Sequence, residues 1–96
     1  MVKACSRPKL MPEKLLLIRK YLNVSQSGMA ELLKVSKTGV SKYENGVREP
    51  DLMVTLAYCR LGRVSMASVV DDEISVNEFR EQLGKNELAL LDNVMV

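Results

Sequence analysis

Residues 26–46, QSGMAELLKVSKTGVSKYENG, have the pattern of two short helices joined by a tight turn. Apolar residues recur there at the three- to four-residue spacing of buried helical faces, namely Met29, Ala30, Leu32 and Leu33 in the first helix and Val40 and Tyr43 in the second. Ser36 lies where the second helix would begin, and its hydroxyl can accept hydrogen bonds from the free backbone N–H groups there. Gly46 can adopt the left-handed backbone conformation that commonly follows the end of a helix. The stretch predicts a helix-turn-helix unit.

The outer face of the second helix is polar and carries no acidic residue. At about 100° per residue, one broad arc of this helix holds Lys37, Thr38, Ser41, Lys42 and Asn45. Lys can donate to guanine or to phosphate, Ser and Thr can hydrogen-bond to either, and the Thr methyl can contact thymine. A glycine inside the helix, Gly39, indicates a close approach by another group, such as DNA. We expect this arc to bind duplex DNA; a merely solvated face is the alternative.

A wider set of residues has the spacing of a known DNA-binding domain: Arg19, Ser25, Gln26, Ala30, Val35, Val40, Tyr43, Glu44, Asn45, Gly46 and Pro50. From Pro12 to about Val70 the chain resembles the lambda-repressor and Cro-like family, also called XRE-type helix-turn-helix regulators. The resemblance implies a compact all-α domain of five helices. It also implies that Gln26 contacts a phosphate, and that the second helix of the unit faces the major groove through Lys37, Thr38, Ser41 and Lys42.

The resemblance further implies that Arg19 and Glu44 form a buried salt bridge. Removing one member of such a pair leaves the other charge buried without compensation. We therefore expect these two residues to hold the fold rather than to contact DNA.

Two positions depart from the family pattern. The turn between the second and third helices usually carries Gly where this chain has Lys34, and a left-handed backbone costs a non-glycine residue about 1 to 2 kcal/mol. The family tends to end helix four with Gly just before the residue that matches Val64, whereas here Gly62 comes one residue early and Arg63 follows. The end of helix four is therefore not fixed by the pattern.

Caps and apolar spacing divide the chain into three parts: a basic arm (1–10), a helix-turn-helix domain (11–70) and a C-terminal tail (71–96). Within the domain, helix one should run from Met11 or Pro12 to Tyr21, with Leu15, Leu16 and Ile18 inward. Helix four should begin after Pro50 and run to about Leu61. A short fifth helix from Ser65 to Val70 should close the core with Met66, Val69 and Val70.

Charge is distributed unevenly along the 96 residues, although the net charge is only +2. Residues 1–48 hold ten Lys and Arg against three Glu, a balance of +7, whereas residues 49–96 have a balance of −5. Counterion release from DNA would favour binding through the basic half. Lys3, Arg7 and Lys9 could add phosphate or minor-groove contacts from the arm.

Other functions find little support in the sequence. The chain contains no His and only two cysteines, Cys5 and Cys59, without a CxxC motif, so a Cys/His zinc site is not expected. We expect Cys59 to pack in the core and Cys5 to be a free thiol in the arm. No catalytic set or phosphate-binding loop is present, so we expect neither an enzyme nor a cofactor. Without a signal peptide or a run of about 20 apolar residues, a cytoplasmic location is expected.

The tail carries an apolar stripe of Val76, Phe79, Leu83, Leu88, Leu90 and Leu91, with a predicted helix from about Val76 to Gln82 and an interruption at residues 84–86. These side chains could pair with the tail of a second subunit, cover the domain's own core, or dock on an unrelated protein. We expect the first, since two half-sites improve DNA affinity and register. The segment from Ile74 onward would then be required for a homodimer.

The functional expectation is a transcriptional regulator that binds a specific double-stranded operator, most simply a repressor reading the major groove with helix three. A homodimer would recognise an inverted repeat. The alternative is an antitoxin-like or adaptor protein whose tail binds a protein partner and whose DNA binding is autoregulatory.

Overall fold

The computed structural model of the protein describes residues 7–85, and this part of the chain contains helices and no strand. The helices are α1 (Met11–Leu22), α2 (Gln26–Leu33), α3 (Lys37–Glu44), α4 (Leu52–Gly62), α5 (Met66–Val70) and α6 (Val76–Gln82). The first five agree closely with the helices expected from the sequence, and α6 is the helix predicted in the tail. The predicted all-α fold is therefore confirmed.

Short polar side chains begin most of these helices. Ser25, Ser36, Asp51, Ser65 and Ser75 each accept a hydrogen bond from a backbone N–H group in the first turn of α2, α3, α4, α5 and α6, respectively. These bonds satisfy donors that no helical carbonyl can reach. The cap residues therefore fix where each helix starts.

Three helices end on a residue with left-handed backbone that is not glycine: Asn23 after α1, Lys34 after α2 and Arg63 after α4. Lys34 has φ 60°, so it adopts the conformation that the family usually gives to Gly. Helix four ends at Gly62, and Gly62 itself serves a different purpose. A Cβ there would lie 3.0 Å from Cγ1 of the buried Ile18. The missing side chain lets α4 approach α1 closely.

The core surrounds α1, which packs against α3, α4, α5 and α6, while α2 packs against α3 and α4. The side chains that are largest and fully buried include Leu15, Ile18, Met29, Val40, Tyr58, Val64, Val69 and Phe79. Three residues that the sequence placed in the core lie outside it, and one of them, Leu16, is half-buried and not part of the core cluster. Leu32 is 51% exposed and Val70 is 41% exposed, because the other face of each short helix already fills the core.

The sixth helix completes this core. Phe79 is fully buried, and Leu83 packs against the same cluster. Gln82 accepts a hydrogen bond from the Ser68 hydroxyl, which joins α6 to α5. Phe79 and Leu83 therefore serve their own domain, the alternative that the sequence analysis had not favoured, and the core does not close at Val70. Leu88, Leu90 and Leu91 lie outside the described residues.

A buried lysine connects α1 to the end of α5. Lys14 is fully buried, and its Nζ donates to the carbonyl oxygens of Ser68 at 2.7 Å and Asp71 at 2.9 Å. The same Nζ lies 5.6 Å from the centre of the Phe79 ring. Burial lowers the pKa of Lys14, and the nearby carboxylates of Asp72, Asp71 and Glu78 oppose that shift. Lys14 is thus a structural residue and is not available to DNA.

The chain ahead of α1 is held by Asp72. Its carboxylate accepts the backbone N–H groups of Lys9 at 2.9 Å and Leu10 at 3.0 Å, and these bonds lower the pKa of Asp72. The carboxylate lies where the free N–H groups and the positive end of α1 favour an anion. Residues 7–10 are therefore fixed on the domain. Cys5 and Lys3 fall outside the described residues.

Candidate nucleic-acid interface

Helix α3 presents its polar arc to solvent. Val40 and Tyr43 point into the core and hold the helix against α1 and α2. Around the opposite side, Ser36, Lys37, Thr38, Lys42 and Asn45 are exposed and Ser41 is half-buried. The predicted DNA-binding residues of α3 thus share one accessible face.

Three polar residues of this face have hydrogen-bond partners within the protein. The Ser36 hydroxyl accepts the Gly39 N–H at 2.9 Å, so it caps α3 and keeps its own hydrogen for a further acceptor. The Asn45 amide donates to the Ser41 hydroxyl at 3.3 Å. No side chain of the face is turned inward.

Gly39 has a neighbour within the protein. It is buried, and a Cβ there would lie 3.3 Å from the Ser36 hydroxyl oxygen and 3.7 Å from that of Tyr43. The close approach that the sequence indicated is therefore made by the cap and by the core. A contact with DNA is not needed to explain this glycine.

The position of α3 is fixed by a charged network at its C-terminal end. Arg19 donates through Nε to Glu44 Oε2 at 2.7 Å and through Nη2 to Glu44 Oε1 at 3.1 Å. Its Nη1 donates to the Val24 carbonyl at 3.0 Å. The side chains of Arg19 and Glu44 are only 16% and 4% exposed. The hydrogen bond to Glu44 raises the pKa of Arg19, so the guanidinium stays charged.

Gln26, the expected phosphate contact, also belongs to this network. Its Nε2 donates to Glu44 Oε1 at 3.1 Å, and the residue is half-buried at the first position of α2. The bond orients the side chain and leaves its carbonyl and one N–H of its amide free of that contact. No sequence pattern indicated this link, because Gln26 and Glu44 lie at opposite ends of the helix-turn-helix unit.

The positive charge available to a ligand is smaller than the number of Lys and Arg residues in the N-terminal half suggests. Lys14 is buried and Arg19 is paired with Glu44, so neither adds to the accessible positive surface. Arg7 and Arg48 are exposed near the end of α3, and Arg7 Nη1 lies 3.4 Å from the Gly46 carbonyl oxygen. Arg7 and Arg48 therefore add exposed positive charge just beyond the C-terminal end of α3, and sequence position alone did not show that Arg7 would lie there.

The described part of the chain offers little to other kinds of chemistry. Cys59 is buried, and burial raises the pKa of its thiol to about 12, so it is a core residue as expected. Among residues 7–85, no group of three or more His, Cys, Asp or Glu is arranged to hold a metal ion. No helix of that region is long and apolar enough to span a membrane.

The helical pair α2–α3, with its capped outer helix and basic face, defines a helix-turn-helix protein. Residues 13–68 match the family model described as Helix-turn-helix, of the XRE and lambda-repressor-like type, and the chain belongs to this DNA-binding family. The match covers more than half of the chain and includes α2 and α3 in full. No curated protein and no solved structure shows a significant match.

Proposed function

We propose that the protein is a transcriptional regulator that binds a specific double-stranded operator with α3 in the major groove. It acts by occupying the operator, as a repressor, and carries out no chemistry of its own. The observation that carries this proposal is the exposed polar face of α3, held by the Arg19–Glu44 pair. A major groove about 12 Å wide admits one α-helix, whose diameter with side chains is about 10 to 12 Å.

Individual roles follow from chemistry and position. Lys37 and Lys42 donate to guanine or phosphate, and Thr38 and Ser41 contact base edges. Ser36, Asn45 and Gln26 donate to phosphates beside the groove, as N–H and hydroxyl groups commonly do. The basic pair Arg7 and Arg48 adds phosphate contacts that increase affinity without reading sequence.

The double variant Lys37→Ala with Lys42→Ala should lose specific binding while its stability stays native, because both side chains are exposed. Each lost base contact should cost about 1 to 3 kcal/mol of binding free energy. The operator would first be selected from random duplexes, and the affinities then measured by fluorescence anisotropy at two salt concentrations.

The control for this experiment is Arg80→Ala with Lys85→Ala, which removes the same charge from exposed positions on and after α6. We expect the control to retain the selected site and nearly all of the affinity. Equal losses in both variants would mean that only total charge matters, and failure to select any site would contradict the proposed function.

The proposal includes a homodimer on an inverted repeat, because one α3 helix reads only a single half-site. Phe79 and Leu83 pack within their own domain, so they are not available to join two copies. We assign the interface to the surface near Val47 and Leu52, whose side chains are 65% and 70% exposed after α3 and at the start of α4.

Sedimentation of the protein with its selected duplex should give two copies per inverted repeat. The variant Leu52→Lys should bind a single half-site as well as the unchanged protein but lose cooperative binding to the repeat. One copy per selected site, at tens of micromolar protein, would show that the protein acts as a monomer.

A further inference from the structure

An exposed apolar groove lies between α2 and α4, and no residue of α3 lines it. It is lined by Leu32 of α2 and by Met53, Leu56, Ala57, Arg60 and Leu61 of α4. Leu32 is 51% exposed and Met53 is 69% exposed, whereas Arg60 is the one charged side chain in the lining. Contiguous apolar surface of this kind is usually covered by a binding partner.

The described chain ends at the C-terminal end of α4, where Arg60 and Leu61 line the groove. The Gly84 N–H donates to the carbonyl oxygen of Gly62 at 2.8 Å, so the chain after α6 is tied to the last residue of α4. Gly84 has φ +79°, and a Cβ there would collide with the hydroxyl of Tyr21. Only glycine fits where the chain passes Tyr21 in this way. Lys85 therefore follows at the end of α4 that carries Leu61 and Arg60.

The segment that follows has the length and chemistry to fill the groove. From Leu61 to Met53 the groove follows α4 for about 12 Å, and residues 86–96 would span about 16 Å even if fully helical. They include Leu88, Leu90 and Leu91 for the apolar lining. They also include Glu87 and Asp92, whose charge is opposite to that of Arg60.

We propose that residues 86–96 occupy the α2–α4 groove of the same copy. The connection at Gly84 places this segment at the groove at an effective concentration in the millimolar range, which a second copy at micromolar concentration cannot match. The tail then covers Leu32 and Met53 and takes no part in joining two copies.

Hydrogen exchange followed by mass spectrometry tests this assignment on the full chain without DNA. We expect amides in residues 86–96 to exchange at least tenfold more slowly than in an isolated peptide of the same sequence. The protection should be equal at 1 and 50 micromolar protein, concentrations chosen to bracket about a fiftyfold change in mass action. Full exchange at the peptide's rate would overturn the proposal.

Two neighbouring substitutions locate the site. Met53→Lys puts a charge into the groove, whereas Leu52→Lys puts the same charge on an equally exposed residue of α4 that does not line it. Protection should be lost in the first variant and kept in the second. Protection that grows with protein concentration would show that the bound segment comes from a second copy. Equal protection in the two variants would show that the segment does not bind in the groove. Either result would overturn the assignment without affecting the proposed DNA binding.

Discussion

Glu44→Ala is expected to lower the free energy of unfolding by about 3 to 5 kcal/mol, the usual range when one member of a buried ion pair is removed. Glu44 is nearly inaccessible and accepts hydrogen bonds from both Arg19 and Gln26. Its loss leaves the Arg19 guanidinium without its charge partner and Gln26 without an acceptor. DNA binding should fall as well, because the network holds the C-terminal end of α3.

A double-mutant cycle separates the pair from other effects. Arg19→Ala should also be strongly destabilising, since it leaves the buried carboxylate of Glu44 unpaired. The double variant should cost less than the sum of the two, as residues in direct contact do not behave additively. Urea denaturation gives the free energies, with Glu31→Ala as the control on an exposed glutamate of α2. Strict additivity would show that Arg19 and Glu44 do not interact in solution.

Phe79→Ala should be comparably severe, with an expected loss of about 3 to 5 kcal/mol for a fully buried phenylalanine. The ring lies against the Lys14 ammonium and within the main core, so its removal leaves a cavity beside a buried charge. The residue lies beyond the 13–68 region that matches the family. The variant therefore tests whether α6 is part of the folding unit.

Thermal and urea denaturation of Phe79→Ala would be compared with Asn77→Ala, an exposed change in the same helix that should have little effect. A chain truncated after Glu73 should be at least as unstable as Phe79→Ala, because it loses the entire helix. If both were as stable as the full chain, α6 would be a dispensable appendage, and the apolar stripe would be free for a partner.

Local sequence signals were enough to predict much of the fold. The cap residues Ser36 and Ser65, the left-handed Gly46 and the apolar spacing of Val40 with Tyr43 act within one or two helical turns, so they can be read from sequence. The resemblance supplied a second kind of information, the pairing of Arg19 with Glu44. Spacing alone gives no reason why residues 25 positions apart should meet.

Predictions of which individual side chains are buried were less accurate. Leu32 has the spacing of a core residue, yet α2 is only eight residues long and its contacts with α3 and α4 are filled by Met29, Ala30 and Leu33. Lys14 was counted as a basic residue for DNA, whereas two backbone carbonyls and a phenyl ring bind it inside the protein. Burial of a charge depends on partners supplied by distant elements.

The sequence by itself determined the all-α class, the helix-turn-helix unit and the polar face of α3, since periodicity, caps and turn residues are local properties of the chain. Tertiary structure decided that Phe79 faces α1, that Gln26 joins Glu44, and that Leu32 lies in an open groove. Which apolar side chains become core depends on how much surface the other helices offer. That quantity is defined only when α1, α4 and α6 have packed together.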